Sequence, residues 1–243
     1  MLQPRYIYID EVGSTNDFLR QYSGDEEMVV AVADYQQAGR GCGSNSWESE
    51  RGKNLTFSIL FHPEQVLAHE QYVLSMAVAV TMRKYLSEVL SEEVCIKWPN
   101  DIYVGDLKIA GILIENRLVG NLIRNCVVGI GLNVNQTVFT SDAPNPVSMA
   151  QLEGREWDRE EVLHGIVQQF VWQLEHFRRD KIREKYRRHL YRREGFFFYR
   201  DAGGTFEAEL VAVEDDGHLV LRDKADNLRT YAFKEVQFLV EMG

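Results

Sequence analysis

The 243-residue chain is 45% hydrophobic and 26% charged, the balance of a globular protein with enough apolar material to bury a core. A formal net charge of -10 argues against a surface that binds nucleic acid non-specifically. No apolar stretch approaches the ~18 residues of a membrane span, and Met1-Leu2-Gln3-Pro4-Arg5 lacks the pattern of a secretory leader.

Short apolar runs at 6–9 and 28–34 predict strands, and Ser14-Thr15-Asn16 between them suits the start of a helix. Residues 36–54 are polar and glycine-rich, hence loop. A strand is expected at 55–61. Val73, Met76, Ala77 and Val80 recur at helical spacing and predict a helix over about 70–90. Strands then follow at 94–98, 101–104, 107–115 and 121–131, with Val104-Gly105-Asp106 as a hairpin turn. From Arg159 to Tyr191 the period is helical, with Val162, Ile166, Phe170 and Leu174 on one apolar face. Beyond Gly195 the pattern changes to short strands broken by turns, which predicts a catalytic unit over 1–194 and a small barrel-like β unit over 195–243. The fold class is α+β, a mixed β-sheet with helices. Cys42, Cys95 and Cys126 are too dispersed for a disulfide framework or zinc site, which places free thiols in a reducing, cytoplasmic compartment. Cys95 and Cys126 read as core residues, whereas Cys42 lies in a glycine-rich loop.

Three clusters carry candidate chemistry. In Gln36-Gln37-Ala38-Gly39-Arg40-Gly41-Cys42-Gly43, alternate glycines allow close backbone approach and Arg40 supplies fixed charge for a phosphate or carboxylate. A flexible surface loop has the same composition. No Gly-Lys-Ser/Thr follows, so this is not a Walker A loop. Trp47 offers an indole that could cover an adenine. In the second cluster, Lys97-Trp98-Pro99-Asn100-Asp101, the turn is bracketed by Lys97 and Lys108. Lys108, within an otherwise apolar strand, is either an edge-strand gatekeeper or a charge aimed into a pocket. Asp101 is either a turn cap or a group that places a metal or ligand nitrogen. In the third, Gly129-Ile130-Gly131-Leu132-Asn133, alternate glycines let a ligand or another segment pack on a strand.

Taken in order, Ser-Thr-Asn, Gln-Gln-Ala-Gly-Arg-Gly, Trp47, Lys-Trp-Pro-Asn-Asp, Lys108 before Ala-Gly-Ile-Leu, and Gly-Ile-Gly-Leu-Asn resemble the biotin protein ligases over roughly residues 8 to 135. The resemblance implies a class II synthetase-like catalytic domain followed by a small SH3-like β-barrel. It implies formation of biotinyl-5'-AMP from biotin, ATP and Mg²⁺, then transfer to a lysine of a biotin carboxyl carrier protein. Ser14, Thr15, Asn16 and Gln36 are then expected to line the biotin pocket. Gly39, Arg40, Gly41 and Cys42 close over it, with Gly111, Ile112, Leu113, Gly129 and Gly131 as wall. Trp47, Asn100, Asp101 and Asn133 are expected by the nucleotide, with Lys108 between the biotin carboxylate and the α-phosphate. Lys108, Arg40 and Asp101 are the expected catalytic set. Mg²⁺ is expected to arrive with ATP and to lie near Asp101, with no dedicated protein site, and Glu235 is a further candidate nucleotide contact.

The chain departs from the family in two places. Where many members have a longer Gly-Arg-Gly pattern with a second basic or polar residue, Cys42 stands followed by Gly43-Ser44, which predicts weaker retention of the adenylate. About five residues precede the first strand, so the resemblance is to the monofunctional form without a DNA-binding domain, and neither a nucleic-acid nor a membrane partner is expected. The family includes monomers and homodimers, which leaves a homodimer open. Nine basic residues between Arg178 and Arg193, interleaved with Phe177, Tyr186 and Tyr191, could serve nucleic acid or an acidic carrier. Asp180, Glu184 and Glu194 among them favour a salt-bridged helix face.

Overall fold

Residues 28–33, Met-Val-Val-Ala-Val-Ala, form an uninterrupted apolar run, which suits a strand covered on both faces. In the computed structural model, which describes residues 2–41, 43, 45–64, 66–141 and 145–239, that run is the second strand of a seven-stranded mixed sheet. The elements in chain order begin β1 (Arg5–Val12), α1 (Thr15–Arg20), β2 (Met28–Gln36), β3 (Leu55–Phe61), a 3-10 turn (Ala68–Glu70) and α2 (Tyr72–Val89). Strands β4 (Val94–Lys97), β5 (Asp101–Val104), β6 (Leu107–Val119) and β7 (Leu122–Leu132) follow. Next come α3 (Met149–Glu153), α4 (Arg159–Glu175) and α5 (Arg179–Arg188). The chain closes with β8 (Phe196–Asp201), β9 (Gly204–Val213), β10 (Leu219–Asp223), β11 (Leu228–Tyr231) and β12 (Gln237–Phe238). The large sheet has the order β1-β2-β3-β7-β6-β5-β4; only β1 and β2 pair in parallel.

The alternation within β2 sorts its side chains. Met28, Val30 and Val32 join the main core with α2, α4 and α5, while Val29 and Ala31 meet Leu19 of α1 on the opposite face. Six residues are too few for a helix to stand alone. Helix α1 is held by Leu19, 1% exposed, against Val29, Ala31, Leu60 and Val127. Burying such a side chain contributes about 1.5–3 kcal/mol, and it anchors the Ser14-Thr15-Asn16 end over the sheet. The helical period expected from 159 to 191 is divided: α4 ends at Glu175 and α5 starts at Arg179, with Val162, Ile166 and Phe170 buried as the pattern required.

The expected C-terminal barrel is corrected. Among the described residues, β8 to β12 form an open antiparallel sheet of order β11-β10-β9-β8-β12. Closure would need a ladder between β11 and β12, and the two-residue β12 spends its pairing on β8. No described helix is long and apolar enough to cross a membrane.

Candidate active site

One face of the large sheet, the one that α1 covers in part, holds two rows of residues running across the strands. The first row is Thr56, Gly131, Gly111 and Asp101, from β3, β7, β6 and β5; the second is Ser58, Gly129 and Leu113. Adjacent glycines in a row leave a trough, because nothing projects from the pleat there. The indole of Trp47 occupies the first trough. A Cβ at Gly131 would overlap it, and one at Gly111 would lie 3.0 Å from Trp47 Cζ3. Asn16 sits over Gly129 in the same way, where a Cβ would overlap its side-chain oxygen. The paired glycines therefore admit two side chains of this protein.

Lys108 reaches this face through a β-bulge. The pairing steps from Ile102↔Ala110 to Tyr103↔Lys108, so Ile109 is an extra residue in β6. Ile109 and Ala110 both enter the core, which shifts the alternation and puts Lys108 on the side of Gly111. With β6 between β5 and β7, the edge-gatekeeper reading of Lys108 is removed. Its Nζ pairs with Asp101 Oδ2 at 2.8 Å and lies 5.7 Å from the Trp47 ring centre.

The Gly39-Arg40-Gly41 segment pairs with Asn45-Ser46-Trp47. Trp47 N donates to Gly39 O at 2.9 Å, Gly41 N donates to Asn45 O at 2.7 Å, and Arg40 and Ser46 form a bridge. A Cβ at Gly39 would lie 2.6 Å from Trp47 O, so the glycine permits this close pairing and fixes where the indole lands. The amide of Gly41 is thereby engaged within the loop. Arg40 Nη2 spans Asp17 at 3.0 Å and Glu115 at 2.8 Å, tying the loop to α1 and β6. Cys42 lies outside the described residues.

A chain of polar contacts lies beneath. Gln36 Oε1 accepts from Thr15 N at 2.8 Å and Thr15 Oγ1 at 3.1 Å. Thr15 Oγ1 and Ser58 Oγ are 2.6 Å apart; Ser58 donates on to Asn16 Oδ1 at 2.6 Å, and Asn16 Nδ2 donates to Glu115 Oε2 at 2.8 Å. Thr15, Asn16 and Ser58 are each at most 3% exposed. Asn100 donates through Nδ2 to Ile112 O and accepts through its own carbonyl from Ile112 N at 3.2 Å, locking the turn to β6. Asn133 donates through Nδ2 to Val147 O at 3.1 Å. Its Oδ1 and Trp47 Nε1 are buried atoms with no hydrogen-bond partner among the described residues, and such atoms call for one.

Most of these groups border one cleft of about 1150 Å³. It is lined by Ser14, Thr15, Asn16, Gln36, Arg40, Gly41, Trp47, Asn100, Asp101, Lys108, Gly111, Ile112, Leu113, Gly129, Gly131 and Asn133, with Gly39 one step behind. Lys97, Phe57, Phe139 and, from the C-terminal segment, Phe233, Lys234 and Phe238 also line it. Lys97 stands in the motif itself, and burial depresses its ammonium to about 8. Ser58 had a signal, one of two hydroxyls inside the apolar run Leu-Thr-Phe-Ser-Ile-Leu-Phe, and Glu115 stood at the end of a quoted motif. Glu235 instead turns back on its own bend, accepting from Ala232 N at 2.7 Å, and does not line the cleft.

Asp101 is engaged by Lys108, and Glu48 accepts from the Thr140 and Ser141 backbone at 2.7–3.2 Å, so the cleft presents no cluster of carboxylates for a protein-held metal among the described residues. Glu214, Asp216 and His218 gather instead on the exposed β9–β10 turn. The basic stretch is largely paired: Arg178 with Asp180, Lys181 and Arg188 with Glu184, Arg183 with Asp215, Arg179 with Glu70.

Residues 8–133 match the family model of the Biotin/lipoate A/B protein ligase family. The chain is 28% identical over 240 residues to the "Bifunctional ligase/repressor BirA" of Bacillus subtilis (strain 168), covering 93% of this chain and 72% of that protein. The protein of the same name from Escherichia coli (strain K12) is 36% identical over 124 residues, 51% of this chain and 38% of that one. Among solved structures, the biotin protein ligase of Aquifex aeolicus in complex with biotin and ATP superposes with a TM-score of 0.80 at 23% identity, covering 97% of this chain and 99% of that one.

Proposed function

Because this chain belongs to the Biotin/lipoate A/B protein ligase family, we propose that it is an ATP-dependent biotin protein ligase. In this reading biotin and MgATP give biotinyl-5'-adenylate and pyrophosphate, and the biotinyl group passes to a lysine of a biotin carboxyl carrier protein. The names of the Bacillus and Escherichia relatives support a ligase, and the Aquifex complex supports biotin and ATP as its substrates. The free thiols of Cys95 and Cys126 fit a cytoplasmic location. Residues 1–194 form the catalytic unit in this reading, and 195–243 a C-terminal unit that contributes one rim of the cleft.

The carrying observation is that one cleft brings together the Lys108–Asp101 pair, the Trp47 trough, Arg40 and the Thr15–Ser58–Asn16–Glu115 chain. The polar chain takes the biotin head, and Trp47 and Asn133 flank the nucleotide. A carboxylate oxygen of biotin attacks the α-phosphorus, the bond to the bridging oxygen breaks, and pyrophosphate leaves with the electron pair. Two anions meet in that step, and Lys108 and Arg40 offset the charge with no covalent enzyme intermediate. Magnesium enters as part of MgATP.

The test is biotin-dependent exchange of labelled pyrophosphate into ATP, run beside lipoate. Wild type is expected to exchange with biotin and not with lipoate, and Lys108→Ala to lose at least about a hundredfold, the scale of removing one electrostatic donor. Exchange that favours lipoate, or that survives Lys108→Ala, defeats the assignment.

A further inference from the structure

Lys97 lies in the cleft and has no part in the roles assigned above. It stands at the end of β4, opposite Asp101 in the ladder. Its ammonium donates to Tyr103 Oη at 2.9 Å, over the Tyr103 ring at 4.5 Å from the ring centre, with the Phe238 ring 5.5 Å away on the other side. No carboxylate lies within ion-pairing distance of it among the described residues, in contrast to Lys108 a short step along the same wall. The ring faces and the Tyr103 oxygen favour the cation, whereas burial with no carboxylate at contact distance favours the neutral amine, and burial prevails here.

The second half of the ligase reaction needs a proton acceptor. The incoming lysine arrives as an ammonium with an ordinary pKa of about 10.4, and only its neutral form attacks the acyl carbon. As the C–N bond forms and the bond from acyl carbon to phosphate oxygen breaks, AMP leaves with the electron pair and the nitrogen sheds a second proton. Asp101 is paired with Lys108, and Arg40 cannot take a proton.

We propose that Lys97 is the proton acceptor for the incoming lysine amine in the transfer half of the reaction. This rests on the ligase reading. Phe238, from the C-terminal segment, covers part of the ammonium. The charged groups around Lys97 divide in sign. Asp101 of β5 and Asp106 of the β5–β6 turn favour its protonated form, whereas Lys108 of β6 and Arg192 beyond α5 oppose it. The neighbouring phenols of Tyr103 and Tyr191 are pushed upward by burial and stay neutral across the working range. Burial outweighs these charges and holds Lys97 at about 8, so the active, neutral form accumulates as pH rises through that value.

The experiment separates the two half-reactions in wild type, Lys97→Arg and Lys97→Met. Single-turnover transfer from preformed biotinyl-adenylate to a biotin carboxyl carrier domain is followed from about pH 6 to 10, and pyrophosphate exchange reports the first half. Wild-type transfer is expected to climb and level off near the Lys97 value. In both variants the plateau vanishes, transfer near neutrality falls at least about tenfold, and exchange changes less than about threefold. An unchanged transfer profile, or equal losses in both halves, overturns the proposal. Wild type that shows no biotin-dependent exchange removes the ligase reading and this inference together, whereas normal exchange with an unaltered profile removes the inference alone.

Discussion

Gly129 and Gly131 stand one repeat apart on the same face of β7, and a methyl group at each strikes a different partner. At Gly131 it meets the Trp47 indole, and at Gly129 it meets the Asn16 amide that Ser58 and Glu115 orient. Overpacking of this kind costs about 1–3 kcal/mol, or roughly five- to 150-fold in affinity. Gly131→Ala is therefore expected to weaken ATP while sparing biotin, and Gly129→Ala to do the reverse, as separate calorimetric titrations can show. Variants that lose both ligands alike would contradict the division of the cleft. The sequence marked these glycines as places where something packs, because a strand has little other use for them. It could not say that the occupants are side chains of the protein. Nor could it place Lys108, whose direction depends on an extra residue at Ile109 that no alternation pattern displays.

The loops show the same limit at the scale of elements. Polar, glycine-rich composition marked 36–54 as loop, and the strands and helices around it were readable from their periods because burial imposes those periods. What the composition could not carry is the set of long-range contacts that hold the loop in place. Glu48 is the clearest case, binding the loop after β7 through Thr140 N, Thr140 Oγ1 and Ser141 N, with Gln136 Nε2 at 3.2 Å. Burial alone would raise this carboxyl, but the hydrogen bonds from Ser141 and Thr140 outweigh it and hold the group at about 2, below its ordinary 4.5. A depressed carboxylate stabilises the folded state above its unfolded value and loses that contribution as pH falls through the folded one. The segment at 137–141 is thus expected to loosen between about pH 4.5 and 2, ahead of the strands, in amide exchange at Thr140 and Ser141. Glu48→Gln should loosen it already at neutral pH and flatten that acid response. If the variant keeps the wild-type response, Glu48 is not its source.

At the scale of the whole molecule, the two sheets share one cleft and one continuous apolar core, and Trp98 makes a polar contact at their junction. This residue is 5% exposed, donates through Nε1 to Gly217 O of the β9–β10 turn at 2.8 Å, and meets Phe233 edge-on at 6.3 Å. Arg183 adds an ion pair to Asp215 on the same turn, and Arg187 donates to Val213 O at 3.3 Å. Part of the basic stretch in α5 therefore faces the second sheet. The change of pattern at Gly195 marked where the strands of the second sheet begin, yet the docking of that sheet was not legible, because a carbonyl acceptor such as Gly217 O has no signature in sequence. Trp98→Phe keeps the ring and removes the donor. Losing one partner of a buried hydrogen bond costs about 1–3 kcal/mol, and that loss falls on the junction, leaving the interior of either sheet intact. Amides of β9 and β10 are expected to exchange roughly five- to a hundredfold faster, while β2 and β3 keep their protection. Because Phe233, Lys234 and Phe238 line the cleft from the second sheet, the same variant should bind ATP more weakly with biotin affinity little changed. Uniform loss of protection in both sheets would mean that they open as one unit and that Trp98 supports the whole fold; unaltered exchange would mean that the ion pair at Asp215 carries the docking.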